Sequence, residues 1–572
     1  MTAISGDAGL GSCRSRVAPL LQPLSLLTIA SFAALGLLVV YPIGRMLALT
    51  LFPGGVPNVD AAAKLLREPW LLSVLGNTFF AVGVSTVLAV AIGAVLAWLN
   101  ERTDASLGAF GAVLPVIPLL LPSVALTIGW VFLCAPNVGL INVLLARTFG
   151  RGGPQVTIYG WMGLIWVYTI HGVPYAYLVV ASAIRNLDPA LEEASLISGA
   201  GILRTLVRIS LPAIVPALAG SCLLVVISGL GTYSIPAIIA TTAQLDMLPT
   251  KIVHLLVKDY PPQLAYAQLL GLIMLVVVMG FWWLQRRLSS TGQFVTVGGR
   301  AAGSAPMALG VWKHPARAAM WFYILVASVL PMSALLLVAV QRFWSPIIDP
   351  SKFTLFHFEQ VLLVNRVTYS AFQNSLLLAG SGATLAMAIA VITAIYAAFH
   401  GGVLGRVVDV VIKAPATIPN LVISLAFLTT FSGAPFFLSG TLMILLIAFI
   451  VMYIPPGSIA AASALTQVGA DLREASYIAG ASEGRTIRRI VLPIALPGFA
   501  AGWTLVFVHM MGDLSASALL AGVKTPVIGF AILTIWETGS FGLLAAFSTV
   551  MCLINTAVVG LMTWFVRRRS AR

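Results

Sequence analysis

The chain has 572 residues, of which 59% are hydrophobic and only 9% carry a charged side chain. Soluble domains use about 25% charged residues, so this composition excludes an ordinary water-soluble globular protein and indicates a membrane protein. The net charge of +14 does not indicate a nucleic-acid partner, because basic residues flank apolar segments, as in Arg286-Arg287 and Arg567-Arg568-Arg569. Flanking positive charge is what orients a helix in a lipid membrane.

Twelve apolar segments follow one another along the chain, each long enough to cross the ~30 Å hydrocarbon core of a bilayer as a helix. Backbone polar groups must bond to one another there, and the short alternating segments of a membrane β-barrel are missing. The sequence therefore predicts an all-α polytopic membrane protein. The first six segments cover about residues 24–51, 71–99, 107–134, 157–183, 212–240 and 264–285. The last six cover about residues 318–343, 371–399, 407–432, 438–462, 494–521 and 541–566.

Residues 288–317 separate the two sets of six segments and are rich in Gly, Ser and Ala. Such a composition predicts a flexible linker between a first half, residues 1–287, and a second half, residues 318–572. An even number of spans in each half places both termini and the linker on one side of the membrane. More of the Lys and Arg residues fall on that side, which predicts that it is cytoplasmic, in a bacterial inner membrane.

The first apolar segment is longer than the core of a signal peptide, so we expect it to be retained as the first helix. The four cysteines do not show the spacing of a metal site or a redox pair, and we interpret them as structural thiols. They are Cys13, Cys134, Cys222 and Cys552.

The two halves are related by sequence. A triplet Glu-Ala-Ser, a glycine and an Ile-x-Leu-Pro sequence recur with the same internal spacing, 281 residues apart. The first copy is Glu193, Ala194, Ser195, Gly199, Ile209, Leu211 and Pro212, and the second is Glu474, Ala475, Ser476, Gly480, Ile490, Leu492 and Pro493. Further upstream, Pro118 and Pro122 match Pro415 and Pro419 at an offset of 297. Because both copies hold six spans, they form parallel repeats about an axis along the membrane normal.

The repeated motif resembles the signature of permease subunits in binding-protein-dependent ABC importers, whose triplet is Glu-Ala-Ala. The change to serine exchanges one small residue for another. The resemblance covers nearly the whole chain and implies a type I importer permease fold. It further implies that residues 185–212 and 466–493 are coupling loops, and that the motif residues above contact the ATPase.

The motif residues also have a physical interpretation. Gly199 and Gly480 can adopt positive φ, so that one short helix turns sharply into a second. Pro212 and Pro493 are expected at the first position of the helix that re-enters the membrane, where the missing N–H costs nothing. Glu193 and Glu474 are expected near the start of a short helix, where the helix dipole favours a carboxylate.

The sequence contains no Gly-Lys dipeptide and therefore no phosphate-binding loop. Together with the resemblance, this predicts a transport subunit that is not an enzyme and has no cofactor of its own. ATP and Mg would be bound by two separate ABC ATPase subunits that dock on the coupling loops. A periplasmic solute-binding protein would deliver the cargo.

Ionisable residues inside apolar segments indicate function or helix pairing. His509 and Asp513 lie four residues apart, which predicts that they share a helix face, and their first-half counterparts are Ser228 and Thr232. These four residues and His171 are candidates for the substrate pathway, with polar packing between helices as the alternative. Glycine-rich breaks after Gly229 and Gly512 would suit a gate.

A fused chain of this length containing Asp513-Leu514-Ser515-Ala516-Ser517 and Trp536-Glu537-Thr538-Gly539 resembles ferric-iron importer permeases. That resemblance implies ferric iron, with 2-aminoethylphosphonate, thiamine and polyamines as alternatives. The spans are expected to hold no cluster of Tyr, His and carboxylate for a hard cation, and no metal ligands are assigned. A hypothesis from a different class is a proton-coupled secondary transporter in which His509 and Asp513 relay protons.

Overall fold

The computed structural model describes residues 23–108, 111, 114–150, 153–290, 306–345, 347–400 and 402–570. These residues are predominantly helical, and the predicted all-α polytopic fold is confirmed. The first half contains α1 (Pro23–Leu51), α2 (Pro69–Arg102), α3 (Ser123–Cys134), α4 (Trp161–Asn186), α5 (Pro189–Ile197), α6 (Ile202–Ala213), α7 (Val215–Gly231), α8 (Leu248–Val257) and α9 (Leu264–Ser290).

The second half follows the same order, except that a single helix, Glu483–Met511, covers the counterparts of α6 and α7. It contains α10 (Gly310–Ala339), α11 (Arg366–His400), α12 (Asn420–Phe431), α13 (Leu442–Thr466), α14 (Ala470–Ile478), α15 (Glu483–Met511), α16 (Ser515–Leu520), α17 (Ile528–Glu537) and α18 (Phe541–Ser570). Shorter helices at Val59–Leu66, Leu140–Phe149 and Gly402–Lys413 join these elements.

Nine helices in the described part of the chain are long and apolar enough to cross a membrane without a break. They are α1, α2, α4, α9, α10, α11, α13, α15 and α18. Three further helix pairs are bent, and the number of spans reaches twelve if each pair counts as one. These pairs are Leu114–Leu120 with α3, bent by 100°, α6 with α7, bent by 68°, and Gly402–Thr417 with α12, bent by 98°.

Proline explains where the two sharpest bends fall. Pro122 and Pro419 follow the breaks in the equivalent segments of the two halves, and a residue that precedes proline is driven out of the helical region. Ile418 accordingly has φ −110° and ψ 124°. As a result, α3 and α12 have 12 residues each, about 18 Å of helix at 1.5 Å per residue. Each covers little more than half of a bilayer.

The first helix of each half packs on the other half. Helix α10 lies along α3, and α1 lies along α12. Gly129 of α3 meets Pro331 of α10 so closely that a Cβ on the glycine would lie 2.6 Å from the proline Cβ. In the equivalent contact, Thr430 of α12 donates a hydrogen bond of 3.3 Å to the carbonyl of Pro42. The two halves therefore form one interlocked helical bundle.

The ends of the predicted linker are helical. Helix α9 continues to Ser290, and α10 begins at Gly310, eight residues before the start predicted for the second half. Residues 291–305 and Cys13 lie outside the described residues. Of the remaining cysteines, Cys134 and Cys552 are buried and Cys222 is half-buried, and all three are free thiols, as the sequence predicted.

Candidate functional site: two elbows and a central cavity

Each half contains a helix-turn-helix, which we call an elbow: residues 189–213 in the first half and 470–493 in the second. The turn of each elbow depends on one glycine. Gly199 has φ +84° and Gly480 has φ +76°, values that only glycine adopts without strain. The predicted positive φ of both glycines is confirmed. Each elbow is therefore a fixed bend between two helices rather than a loose loop.

A hydrogen bond ties the two arms of each elbow together. Ser195 Oγ lies 2.9 Å from Thr205 Oγ1, and Ser476 Oγ lies 2.8 Å from Thr486 Oγ1. Both threonines are fully buried. The sequence interpretation treated the serine of each triplet as a small residue only and missed this bond. The signal that could have revealed it is a threonine ten residues after the serine in both copies.

The first two residues of each Glu-Ala-Ser triplet face outward. Glu193, Ala194, Glu474 and Ala475 are exposed. Each elbow also exposes an isoleucine two residues before its glycine, Ile197 at 87% and Ile478 at 88%. Large exposed apolar side chains at equivalent positions of two repeats are typical of a docking surface.

Two predictions about helix starts are wrong. Glu193 and Glu474 are the fifth residues of α5 and α14, and the acidic residues of the first turns are Glu192 and Asp471. The re-entering helices do not begin at the prolines, because α6 and α15 begin ten residues earlier.

Each of these helices contains a π-helical turn immediately before its Leu-Pro pair. The turns are Leu206–Ser210, which contains Ile209, and Ile487–Val491, which contains Ile490. Leu211 and Leu492 follow them, and the amide of Leu211 bonds the carbonyl of Leu206, five residues back. In a π-helical turn the backbone N–H bonds the carbonyl five residues back instead of four. The regular pattern of backbone hydrogen bonds is therefore interrupted next to the proline, which has no N–H to donate.

The sequence reasoning also missed Glu192, which anchors the first elbow. It is 3% exposed, and its Oε2 lies 3.3 Å from Nε of Arg102 at the end of α2. Its Oε1 accepts a hydrogen bond of 2.5 Å from Ser210 Oγ. The same Arg102 donates to the carbonyls of Ile184 and Leu187, at the end of α4. A buried ion pair therefore joins both arms of the elbow to α2 and α4.

The second elbow is anchored by different chemistry at the equivalent positions. Arg473 replaces Glu192 and Phe399 replaces Arg102, at the offsets of 281 and 297. The Arg473 guanidinium lies 5.3 Å from the centre of the Phe399 ring, and it donates a hydrogen bond of 2.6 Å to the carbonyl of Ala398. A cation–π contact thus stands where the first half has an ion pair.

A cavity of about 270 Å³ lies between the two halves. All five residues predicted for the substrate pathway line it: His171, Ser228, Thr232, His509 and Asp513. Residues at matching positions of the repeats, such as Pro122 with Pro419 and Ser234 with Ser515, also line it. The cavity therefore lies where the pseudo-twofold axis between the repeats runs.

Tyr453 links the two pathway candidates of the second half, His509 and Asp513. Its hydroxyl donates a hydrogen bond of 2.6 Å to Asp513 Oδ2, and its ring stacks on that of His509 with centroids 5.8 Å apart. Asp513 Oδ1 accepts a hydrogen bond of 2.7 Å from the amide of Ala516. The carboxylate therefore caps α16 as well as facing the cavity.

The prediction that His509 and Asp513 share a helix face is wrong, because α15 ends at Met511. Asp513 lies in the break that follows. The sequence led us to expect no cluster of Tyr, His and carboxylate that would coordinate a hard cation. His171, Tyr175, Tyr453, His509 and Asp513 all line this cavity. Among the described residues, however, no three His, Cys, Asp or Glu side chains are close enough to hold a metal ion.

His171 contacts its own half. Its Nε2 lies 3.4 Å from Ser228 Oγ, and its ring lies edge-on to that of Tyr175, with centroids 5.6 Å apart.

Both helices that lead out of the elbows break beside the cavity, as the sequence predicted. Helix α7 ends at Gly231 and α15 at Met511. The breaks touch the opposite halves: Gly231 lies against Pro419, and Gly512 lies against Pro122. Ser515 also donates a hydrogen bond of 3.3 Å to the carbonyl of Gly231. These contacts hold the two halves together at one end of the cavity.

This interlocked bundle, with paired elbows at one end and a cavity on the axis between its repeats, has the organisation of a two-fold membrane permease. Residues 89–291 and 386–571 each match the family described as binding-protein-dependent transport system inner membrane component. The chain belongs to this family and contains its domain twice. It is accordingly a multi-pass permease of the importer type, and permeases of this family are not themselves enzymes.

Several relatives are similar over much of the chain. The ferric transport system permease protein FbpB of Actinobacillus pleuropneumoniae is 23% identical over 541 residues, which cover 92% of this chain and 76% of the relative. The putative 2-aminoethylphosphonate transport system permease protein PhnV of Salmonella typhi is 26% identical over 252 residues, 43% of this chain and 94% of the relative. A chain from the crystal structure of a bacterial ABC transporter involved in alginate import is 19% identical, with a TM-score of 0.38, and the match covers 48% of this chain and 98% of that one.

Proposed function

We propose that this chain forms the pathway of an ATP-driven importer that carries a cation, with ferric iron as the first candidate. A solute-binding protein delivers the cation at the outer face, and two ATPase subunits bind ATP and Mg at the inner face. In this proposal the elbows, the linker and both termini face the cytoplasm of a bacterial inner membrane.

The observation that carries the proposal is the pair of elbows. Each presents an isoleucine that is almost fully exposed, next to a glycine with positive φ, at equivalent positions of the repeats. Two equivalent rigid elbow tips would suit docking to two equivalent ATPase subunits. Because a hydrogen bond and a buried threonine fix each elbow internally, a push on its tip would move the attached helices as a body.

The charge of the cavity favours a cation. Among the described residues that line it, Asp513 is the one acidic residue, and none is Lys or Arg. A phosphonate group entering this cavity would meet an acidic side chain and no Lys or Arg among the described lining residues, whereas a cation would be attracted. This argues against 2-aminoethylphosphonate, while thiamine and polyamines, which carry positive charge, agree with the lining as ferric iron does.

The arrangement of the lining suits passage rather than storage of a cation. Tyrosine, histidine and carboxylate side chains offer ligands, but they are spread over both halves and no three of the described His, Cys, Asp or Glu residues converge. Conduction requires that each contact be weak enough to release the ion again. Specificity would then come mainly from the binding protein.

The test is cargo uptake by proteoliposomes that contain the chain with its ATPase subunits and binding protein. We expect ATP-dependent uptake of ferric iron, and no uptake by the chain alone under a proton gradient. The same vesicles are offered 2-aminoethylphosphonate, thiamine and spermidine. Uptake driven by a proton gradient without ATPase would contradict the importer and favour the secondary transporter. Uptake of 2-aminoethylphosphonate in preference to iron would contradict the cation assignment.

A further inference from the structure

The residues just before α10 are attached to the end of α2 by backbone pairing. The amide of Met307 donates a hydrogen bond of 2.9 Å to the carbonyl of Arg102, and the amide of Asp104 donates one of 3.0 Å to the carbonyl of Met307. Thr103 and Met307 thereby form a parallel β-bridge. Both residues are buried. The start of the second half is thus paired to the first half immediately after α2.

Side chains reinforce this pairing. Asp104 accepts a hydrogen bond of 3.0 Å from the amide of Leu309 and lies 3.1 Å from Nζ of Lys313. Arg317 donates to the carbonyls of Asp104 and Ala105 at 3.1 and 3.2 Å. The Leu309 amide and the Lys313 ammonium hold the pKa of the Asp104 carboxyl below its ordinary value. The carboxyl therefore stays ionised, and its contacts persist, throughout the neutral pH range.

The same short segment anchors the first elbow. Arg102, whose carbonyl bonds Met307, uses its guanidinium to pair with Glu192 of α5 and to bond the carbonyls of Ile184 and Leu187. A continuous polar network therefore runs from the start of α10, through residues 102–106, to the first elbow. Helix α10 in turn packs on α3 and continues into the second half.

The anchors found at the second elbow lead back to its own half. Arg473 bonds Ala398, and His400 Nε2 lies 3.7 Å from Glu483 Oε2. These partners lie on α11 and α15. In the part of the chain that the structure describes, the two elbows are thus mounted differently, although their turns are alike.

We propose that residues 102–106 together with Met307, Leu309, Lys313 and Arg317 form a permanent clamp. The clamp fixes the start of the second half to the residues that anchor the first elbow. A movement that the ATPase imposes on that elbow therefore moves helices of both halves. A stroke on the second elbow acts through α11 and α15 of its own half. The clamp's role rests on the proposed function, because it presumes that the elbows receive the ATPase stroke.

The first test compares two ion pairs in the complete transporter. Asp104→Ala removes the clamp carboxylate, and Lys413→Ala removes a more exposed ion pair, Asp409 with Lys413, that lies within one helix. ATP hydrolysis and cargo uptake are measured in the same proteoliposomes. We expect Asp104→Ala to lower cargo moved per ATP by about fivefold or more, the range of a typical coupling energy. Lys413→Ala should leave that ratio unchanged.

An unchanged ratio in Asp104→Ala would overturn the clamp. Failure of the proposed function is a different result, because the unaltered complex would then show no ATP-dependent uptake. A second measurement covers the case in which Asp104→Ala does not assemble.

The second test locks the clamp. Thr103→Cys with Met307→Cys places two thiols side by side on strands about 4.8 Å apart, within the Cα separation of about 4.4–6.8 Å that a disulfide spans. If the clamp stays closed throughout the cycle, the oxidised protein should import at the rate of the reduced protein. Uptake that stops on oxidation and returns with reductant would show that the clamp must open, and would overturn the proposal. Each single-cysteine variant serves as the control for oxidation of native thiols.

Discussion

Gly512 of the second half lies against Pro122 of the first, and a Cβ added to this glycine would lie 2.5 Å from the proline Cβ. The equivalent contact between Gly231 and Pro419 is looser, since the nearest atom to such a Cβ would be the Asn420 amide nitrogen at 3.5 Å. The two halves therefore meet beside the cavity through two equivalent contacts, of which the contact at Gly512 is tight and the contact at Gly231 is loose.

This difference gives a matched pair of variants. Gly512→Ala should lower cargo uptake by about tenfold, because overpacking a tight contact costs about 1–3 kcal/mol and must displace Pro122. Gly231→Ala should leave uptake near that of the unaltered protein. Uptake and ATP hydrolysis are measured together in proteoliposomes. Equal losses in the two variants would contradict the assignment of the tight contact to Gly512.

Replacing the triplet serine by alanine should lower the free energy of unfolding by different amounts in the two elbows. Ser195→Ala removes the hydroxyl partner of the buried Thr205, and an unsatisfied buried hydroxyl costs about 1–3 kcal/mol. Ser476→Ala should cost less, because Thr486 Oγ1 also lies 3.2 Å from the carbonyl of Ser482. Thermal unfolding of the purified protein should show the lower midpoint for Ser195→Ala. Adding Thr205→Val should restore part of the loss, and no restoration would contradict the bond.

Glu192 and Glu193 are neighbours in sequence with opposite environments. Glu192→Gln leaves Arg102 without its charged partner in a buried site, which costs about 3–5 kcal/mol. Glu193→Gln changes an exposed side chain and should alter stability by no more than about 0.5 kcal/mol. The midpoint of thermal unfolding distinguishes the two. A larger effect for Glu193→Gln would show that the anchor of the first elbow has been assigned to the wrong residue.

The second elbow contains a matched pair of glycines. Neither Gly480 nor Gly484 has an atom within 4 Å of an added Cβ, but only Gly480 has positive φ, at +76°. Gly480→Ala should therefore strain the turn and reduce uptake per ATP, while the protein remains folded in the membrane. Gly484→Ala should behave as the unaltered protein does. Normal coupling in Gly480→Ala, at equal expression, would argue against a rigid elbow.

Asp513 is the one acidic residue among the described residues that line the cavity. Asp513→Asn keeps the size of the side chain, but its single oxygen can accept from only one of the two donors, the Tyr453 hydroxyl and the Ala516 amide. We expect uptake of a cationic cargo to fall by about tenfold, a loss of about 1.4 kcal/mol of attraction. ATP hydrolysis stimulated by the binding protein should continue. Unchanged cation uptake would contradict the proposal that Asp513 favours a cationic cargo.

The sequence predicted most of the spans and the repeat, because both depend on local composition and on residues at fixed spacing. It placed the starts of the fifth and eleventh spans about ten residues too late. The bend angles could not be predicted in this way. Residues on either side of the break before α3 are equally apolar, and the direction of each piece is set by the helices around it. The same holds for the π-helical turns, which relieve the prolines inside helices that begin ten residues earlier.

The sequence allowed the polar residues of the cavity to be selected, but not the side chains that contact them. His171, His509 and Asp513 could be selected because ionisable groups are rare in spans. That Tyr453 stands between the last two could not, since it lies on α13 and reaches them only through packing. Arg102 and Glu192 lie 90 residues apart, and nothing local marks them as a pair. Only the packing of α5 near the end of α2 brings the two side chains together.

The central claim is that both elbows face the cytoplasm and receive the ATPase. Cysteines introduced by Ile197→Cys and Ile478→Cys, at the exposed tips, test it directly, with the unaltered chain as the control for native thiols. In intact cells, a membrane-impermeant thiol reagent should label neither position, and in the assembled transporter each cysteine should cross-link to an ATPase subunit. Labelling from outside the cell, or cross-linking at neither tip, would contradict the account.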